Sequence, residues 1–227
     1  MPTPSPHNSR NVLITGATGY MGSRLAQRLI DRGHRITAIA REASKGKLPA
    51  GCKVIVADVL NADTWKSHAR RDQTIVHLVG TPHPSPSKAR QFVEIDLRSL
   101  QEAVAAAVFS GVEHFVYVSV AHPAPAMKAY IEVRTQCESI IRASGLRATI
   151  LRPWYVLGPG HRWPITLIPF YRIAERIPAT AEAARRLGLV TIRDMLAALV
   201  HSVEHPTNGL EILEVPAIRK CGSSNES

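Results

Sequence analysis

Three glycines spaced three residues apart constrain this chain more than any other feature of its sequence. Gly16, Gly19 and Gly22 follow the apolar run 12–15 and open a helical pattern. The apolar residues of that pattern recur every four positions, at Met21, Leu25 and Leu29. A strand, a glycine turn and a helix in this order are typical of a site for the pyrophosphate of a dinucleotide. The first glycine permits the tight turn, the second lets the phosphates approach the backbone, and the third lets the helix pack closely.

The same motif argues against one alternative and leaves another open. It lacks the Gly-Lys-Ser/Thr ending of a phosphate-binding loop, so a nucleoside triphosphatase is not expected. A glycine-rich turn that binds no ligand remains the alternative. We favour the dinucleotide site because all three glycines lie at a strand-to-helix junction, and Gly33 follows the helix as an end signal.

Length and composition indicate a single domain, and the cysteine content indicates a cytoplasmic protein. The chain has 227 residues, of which 45% are hydrophobic, enough for a substantial core. Its three cysteines show no metal-ligand spacing, so we expect reduced thiols, a cytoplasmic protein and no metal. The longest apolar stretch, 165–173, is too short to span a bilayer, and no membrane partner is expected. Residues 1–10 and 217–227 are expected to be flexible tails.

The net charge of +10 first suggests a nucleic-acid partner. The arginines are scattered, however, and no module that combines basic and aromatic residues is present. We therefore expect no nucleic-acid binding. A basic surface also suits an anionic cofactor.

Strand and helix patterns alternate along the chain and predict the fold. Apolar runs predict strands at 11–15, 35–40, 54–57, 74–78, 114–119, 148–151 and 210–215. Helical patterns lie at 87–110 and 127–144, and a capping box begins another helix at Thr191. This order predicts an α/β fold with a Rossmann-type doubly wound parallel sheet. The single domain spans 11–216, with a small C-terminal substrate-side subdomain mainly at 154–190.

Arg41 indicates which dinucleotide the site prefers. It lies 19 residues after Gly22, at the end of the second strand, where an acidic residue binds the ribose of NAD. A guanidinium there matches the 2′-phosphate of NADP, so NADP is expected and NAD less so. A surface arginine with no ligand is the alternative. Asp58 and the adjacent Val59 follow the third strand, where Asp58 either accepts from the adenine amino group or caps a helix.

Three stretches together carry a resemblance to a known family. They are the glycine motif 15–22, the run 114–119 and the segment 144–153. They resemble the atypical short-chain dehydrogenase/reductases of the NAD-dependent epimerase/dehydratase superfamily. Within these, the chain is similar to the NmrA-like proteins and to relatives of the complex I accessory subunit. The resemblance covers roughly residues 11 to 216 and identifies no reaction.

The resemblance implies a catalytic tyrosine with a lysine four residues later, which lie on one face of a helix. Tyr130 matches the tyrosine, but Arg134 stands where the family has lysine. Arginine keeps the charge with a bulkier, forked group. Ser119 lies near the family's catalytic hydroxyl, although Val120 fills the aligned position. Asp96 replaces a customary asparagine. Catalysis by Tyr130 and an ordinary half-buried tyrosine are both open.

The resemblance also extends the set of expected cofactor contacts. Leu78, Val79 and Gly80 match the stretch that passes over the adenine ribose, and Pro153 and Tyr155 belong to the segment that meets the nicotinamide. The remaining expected cofactor contacts come from the glycine motif, the second and third strand ends and the fifth strand: Gly16, Thr18, Gly19, Tyr20, Met21, Gly22, Arg41, Asp58, Val59 and Ser119. Aromatic residues beyond Pro153 form either a substrate wall or ordinary packing: Trp154, Tyr155, His161 and Trp163.

Two functions follow from these residues. The first is an NADP-dependent oxidoreductase or epimerase-like enzyme for an unknown small molecule, with Tyr130 as acid/base beside Arg134. The second is a protein that binds NAD(P)H without turnover, as a sensor or assembly factor. The expected partner is a small-molecule substrate or none, and the expected state is a monomer or a homodimer.

Overall fold

A parallel sheet forms the centre of the fold. The structure is a computed structural model that describes residues 9–123, 127–159 and 188–223. In these ranges the sheet has seven strands: β1 (Asn11–Thr15), β2 (Arg35–Ala40), β3 (Lys53–Val56), β4 (Gln73–His77), β5 (His114–Val118), β6 (Ala148–Arg152) and β9 (Leu210–Glu214). Their order is β3-β2-β1-β4-β5-β6-β9, and all neighbours are parallel.

Helices cover both faces of this sheet. They are α1 (Tyr20–Asp31), α2 (Ala89–Gln91), α3 (Arg98–Ser110), α4 (Lys128–Ala143), α5 (Ile192–Glu204) and α6 (Val215–Ser223). One core cluster joins α1, α5 and α6 to one face of the sheet, and a second joins α3 and α4 to the other. Val12, Leu13 and Ile14 of β1 are fully buried because both faces of a central parallel strand are covered. This is the predicted doubly wound Rossmann-type architecture.

The predicted strands agree with the structure to within one residue at each end. A separate parallel pair was missed: β7 (Tyr155–Leu157) and β8 (Leu189–Thr191). Both belong to the expected substrate-side segment 154–190, most of which lies outside the described residues. The capping box at Thr191 is present, since its side chain and that of Asp194 bond each other's backbone N–H groups.

Both expected tails need correction where the structure describes them. Arg10 is held in place, because its backbone N–H bonds His34 Nδ1 at 3.1 Å and its guanidinium bonds Glu113 at 3.1 Å. The segment 217–223 belongs to helix α6. Ile218 is fully buried in the α1–α5 side of the core, and this apolar contact orders the segment.

The predicted helix at 87–110 is irregular. A 3₁₀ turn at Pro86–Lys88 leads into α2, a π-helical segment (Phe92–Leu97) and then α3. Single π turns inside helices are frequent at functional sites, because the extra residue re-aims a side chain. Here the segment contains the buried Asp96. Every described helix is too short or too polar to be a bilayer-spanning segment.

Candidate functional site

The glycine turn between β1 and α1 depends on the absence of side chains. Gly16 has φ of 76°, and a Cβ there would lie 2.7 Å from the backbone of Leu78. A Cβ on Gly22 would collide with the carbonyl oxygen of Gly16 and lie 2.8 Å from Ala17 Cα. Two of the three glycines are therefore required by the protein's own packing, as the motif predicts.

Gly19 differs because it faces outward. It is exposed and is the N-cap of α1, and a Cβ there would meet only Gly16 O, at 3.2 Å. Among the described residues no side chain caps this helix, and its first turn carries no acidic residue. The first N–H groups of α1 and the positive end of its dipole are thus available to an anion. A bare backbone at this position fits the diphosphate of a dinucleotide.

One pocket of about 340 Å³ lies beside this turn. It opens between β1 and β4, where the strand order reverses, which is the usual ligand position in such sheets. Its described lining combines the glycine turn, the loop after β4 and the start of α4: Gly16, Gly19, Tyr20, Met21, Gly22, Leu78, Val79, Gly80, Thr81, Pro82, His83, Val118, Tyr130 and Arg134. The structure thereby places two of the three expected catalytic residues in the same pocket as the glycine motif.

Tyr130 and Arg134 face each other on α4, as their spacing predicts. The guanidinium carbon of Arg134 lies 4.9 Å from the centre of the Tyr130 ring. The edge of Phe92 packs on that ring, with the two centroids 5.0 Å apart. The tyrosine is therefore fixed between an aromatic ring and a cation.

Arg134 is buried, with 6% of its surface exposed. Its Nη1 donates to Tyr117 Oη and to the carbonyl of Val118, each at 3.0 Å, and its Nη2 donates to Asp96. Burial alone would lower the pKa of Arg134, but the interactions with Tyr117, Tyr130 and Asp96 raise that pKa well above its ordinary value. The pocket wall thus contains a permanent positive charge.

Asp96 is the partner of that charge and also binds the loop after β4. Its Oδ2 accepts from the backbone N–H of Thr81 at 2.8 Å and from the Thr81 hydroxyl at 2.6 Å. Gly80 lies against the same pair, since a Cβ there would be 2.8 Å from Arg134 Nη2. The sequence predicted a cofactor contact at Gly80. The structure adds that this glycine makes room for the guanidinium.

Ser119 lies outside the described lining of the pocket. Its hydroxyl donates to Glu138 Oε1 at 2.6 Å, and the same carboxylate binds Arg152. Burial would raise the pKa of Glu138, but hydrogen bonds from Arg152 and Ser119 lower it on balance. Ser119 therefore belongs to a buried ionic group beside the pocket, and its predicted catalytic and cofactor roles have no geometric support here.

At the expected adenosine end of the site, the side chain that would bind the cofactor is exposed. Arg41 is exposed directly after β2, and the neighbouring Glu42 is paired with Lys45 at 2.5 Å. Asp58 accepts the backbone N–H of Leu60 at 3.0 Å, so its carboxylate stabilises a turn, close to the capping alternative left open by the sequence.

The other expected cofactor contacts are positioned as follows. Thr18 is half-buried within the glycine turn, and Val59 packs on the second core cluster. Pro153 is buried, and its carbonyl accepts Ala121 N–H at 2.9 Å. Tyr155 and Trp154 are half-buried at the start of β7. His161 and Trp163 lie outside the described residues.

Sequence reasoning missed a polar layer beneath the pocket. His77, at the end of β4, bonds Thr15 Oγ1 at 2.8 Å and Ser99 Oγ at 3.3 Å. Burial, together with the charge of Arg134, lowers its pKa to about 3, so the imidazole is neutral. Thr81 and Tyr117 complete the layer. The available signal was a set of polar residues at the carboxyl ends of apolar strands, where ligands bind.

Within the described ranges, no three His, Cys, Asp or Glu side chains cluster so as to hold a metal ion.

Comparison with known proteins agrees with this geometry. A family model described as NAD(P)H-binding matches residues 16–162. A Streptomyces 3-diazoavenalumate denitrifying reductase is 25% identical over 225 residues, covering 87% of this chain and 73% of that protein. A Caulobacter vibrioides ceramide reductase is 24% identical over 216 residues, covering 93% of this chain and 66% of that protein. The chain thus spans between about two thirds and three quarters of these relatives.

Solved structures show the same fold. The Bordetella bronchiseptica enzyme WbmH, in complex with NAD+, matches with a TM-score of 0.68 and 20% identity over 96% of this chain and 80% of that one. WbmG from the same organism, in complex with NAD, matches with a TM-score of 0.67 and 22% identity over 92% of this chain and 74% of that one. These matches confirm the Rossmann-type fold, and together with the NAD(P)H-binding family match and the related reductases they agree with the inferred resemblance to short-chain dehydrogenase/reductases. The narrower resemblance to NmrA-like proteins stays a prediction.

Proposed function

The chain belongs to the NAD(P)H-binding family, and from that premise we propose that it is an NADP(H)-dependent reductase acting on a small molecule. Tyr130 is the proposed acid/base, and Arg134 is the cation that supports it. Epimerase-like chemistry would use the same two groups on a different substrate.

One observation carries this proposal. A single pocket is lined by the glycine turn, by the loop after β4 and by both Tyr130 and Arg134. A dinucleotide bound through its diphosphate at the turn would extend from α1 toward α4. The reactive end of the cofactor and the proton-carrying tyrosine would then meet in one space, which is the requirement for coupled hydride and proton transfer.

Each residue has a defined part in this reaction. A bound nicotinamide supplies or accepts the hydride. Tyr130 donates its hydroxyl proton to the substrate oxygen in reduction, so that a carbonyl becomes an alcohol. The Arg134 guanidinium, 4.9 Å from the ring centre, attracts the negative charge that develops on the phenolate. Gly19 leaves the helix N–H groups of α1 free to hold the diphosphate.

The preference for NADP rests on Arg41. This arginine is exposed at the end of β2, and the adjacent residue in the sequence, Glu42, is paired with Lys45. A guanidinium without a competing carboxylate favours a 2′-phosphate over a 2′-hydroxyl. The two related reductases named above support reduction as the direction of the reaction.

A specific observation favours a second candidate, a protein that binds NAD(P)H without turnover. Arg134 is engaged by Asp96, Tyr117 and Val118, and Ser119 is engaged by Glu138. Two of the three expected catalytic groups thus have protein partners. In this case the cofactor would serve binding or sensing only.

Replacement of Tyr130 by Phe separates the two candidates. We expect NADPH-dependent reduction of a panel of aldehydes, ketones and enones to fall by at least a hundredfold in kcat, because the proton donor is lost. The dissociation constant for NADPH should change little. Ser139→Ala is the matched control, since Ser139 is exposed on the same helix. No turnover in the unaltered protein, despite tight NADPH binding, would favour the non-catalytic candidate.

A further inference from the structure

Asp96 is an unexpected feature of the pocket wall. Its side chain is almost fully buried, with 1% exposure, in the π-helical segment before α3. A buried carboxylate is costly unless its charge is balanced and its oxygens accept hydrogen bonds. Here Arg134 supplies the opposite charge, and Thr81 supplies two donors.

The arginine of this pair lines the dinucleotide pocket, and Asp96 lies behind it. Arg134 lines the pocket, as do Gly80 and Thr81 from the loop after β4. Gly80 has no side chain, and a Cβ there would lie 2.8 Å from Arg134 Nη2 and 3.4 Å from Asp96 Oδ1. The ion pair is thus in contact with the loop after β4, which lines the pocket. A change in the charge of the pair therefore acts on the pocket at short range.

We propose that Asp96 is a positioning residue that balances the charge of Arg134 and thereby sets the relative affinity of the pocket for oxidised and reduced nicotinamide cofactor. This inference rests on the proposed function of the same site. Asp96 needs no contact with the cofactor, because it acts through the guanidinium that it holds.

Asp96 would act on the cofactor through electrostatics. The nicotinamide ring is a cation when oxidised and neutral after it gains a hydride. Arg134 remains charged, so without a counter-charge it would repel the oxidised form and leave the reduced form unaffected. The neutral His77, which lies beneath the pocket, adds no charge of its own. With Asp96 in place the pair is neutral overall, and the pocket accepts both forms.

Two single substitutions should move this balance in opposite directions. In Asp96→Asn the guanidinium is uncompensated, and the dissociation constant of NADP+ divided by that of NADPH should rise on the order of tenfold, as expected for unit charges about 12 Å apart at an effective dielectric constant of about 20. In Arg134→Gln the carboxylate keeps its two donors from Thr81 but loses its cation. The same ratio should then fall severalfold below that of the unaltered protein.

The ratio distinguishes this role from a structural one. General loosening of the pocket weakens both cofactor forms alike and leaves the ratio unchanged. Calorimetry or fluorescence titration with both forms gives the two constants, and Ser139→Ala on α4 is the control variant. If Asp96→Asn does not fold, Arg134→Gln decides the question, because there Thr81 still satisfies the remaining carboxylate.

The outcomes also separate this inference from the proposed function. Tighter binding of NADH than NADPH by the unaltered protein contradicts the NADP preference, and the ratio is then measured with NAD+ and NADH. A ratio within twofold of the unaltered protein in every folded variant overturns the role of Asp96. Opposite shifts in the two variants support it, whether or not Tyr130 proves catalytic.

Discussion

Two buried arginine–carboxylate groups lie one helical turn apart on α4, and they differ in what surrounds them. Arg134 pairs with Asp96 and lines the dinucleotide pocket. Glu138 pairs with Arg152 and lies outside that pocket's described lining. The chemistry of the two pairs is similar, so their surroundings decide what each pair does.

In the Glu138 group, protein side chains bind both Glu138 and Arg152, whereas Glu214 Oε2 is buried and has no hydrogen-bond partner among the described residues. Arg152 donates from Nε and Nη2 to Glu138 and from Nη1 to Glu214, while Ser119 also donates to Glu138. These residues come from α4, from β6 and from the ends of β5 and β9. The group therefore joins α4 to three strands, which is a structural task.

The Arg134 group likewise leaves one buried atom unpaired. Among the described residues, Arg134 Nε is buried and has no hydrogen-bond partner. A buried donor without a partner carries a free-energy cost that stabilises no part of the fold. Each group thus leaves one buried atom unpaired, and the two groups differ in position: Arg134 lines the pocket, whereas the Glu138 group joins α4 to three strands.

The largest expected effect tests the structural half of this comparison. Glu138→Ala leaves the half-buried Arg152 with only Glu214, and we expect it to cost about 3 kcal/mol of unfolding free energy, the low end for a broken buried pair, because Arg152 keeps one carboxylate. Denaturant unfolding measures this loss. Glu132→Ala, at an exposed position on α4, should change stability by less than about 0.5 kcal/mol. A small effect of Glu138→Ala would contradict the structural role.

Acid should destabilise the fold through two buried histidines. His77 lies at the carboxyl end of β4, and His114 lies at the amino end of β5. Burial and the charge of Arg134 lower the pKa of His77 to about 3, and burial and the charge of Arg147 lower that of His114 to about 4. The unfolded chain protonates both near pH 6.5, so it binds more protons than the folded state below that pH. Stability is therefore full above pH 6.5 and is lost as pH falls toward 4 and 3.

Between pH 7 and pH 5 this loss should be about 2 kcal/mol for each histidine. Chemical unfolding across that interval measures the slope. His77→Gln should reduce the slope by about one half of the two-histidine total, whereas Ser139→Ala, which replaces an exposed residue that does not titrate, should leave it unchanged. An equal slope in His77→Gln and the unaltered protein would show that His77 is protonated in the folded state.

Local patterns were enough to predict the sheet and the glycine turn. Gly22 approaches Gly16, six residues earlier, and the positive φ of Gly16 belongs to a local turn, although that glycine also leaves room for the distant Leu78 backbone. The spacing of Tyr130 and Arg134 fixes a shared helix face. Apolar runs likewise predict buried parallel strands without any knowledge of their partners.

The two ionic groups could not be predicted, because they depend on non-local contacts. Thr81 reaches Asp96 across 15 residues, and Asp96 lies in a π-helical segment that the sequence pattern did not predict. Arg152 reaches Glu214 across 62 residues, between neighbouring strands. Helix α6 was missed for the same reason, since Ile218 is ordered by packing against distant helices and Pro216 suggests an ending.

Arg41 extends the comparison to a third arginine and carries the smallest expected effect. Unlike Arg134 and Arg152, it is exposed and forms no ion pair with any described carboxylate. If its charge is available for a 2′-phosphate, Arg41→Ala should weaken NADPH about tenfold relative to NADH, which corresponds to about 1.4 kcal/mol. Titration with both cofactors measures this discrimination.

Arg35→Ala is the matched control for Arg41→Ala. Arg35 is also exposed, but it begins β2, whereas Arg41 directly follows the end of β2. The two arginines therefore lie at opposite ends of the same strand. Both substitutions remove one positive charge, and a general electrostatic attraction for an anionic cofactor would weaken in both. Loss of NADPH discrimination in Arg41→Ala alone assigns the preference to its position. Equal losses would show that the overall charge of the protein determines cofactor binding, and the NADP preference would then have no site.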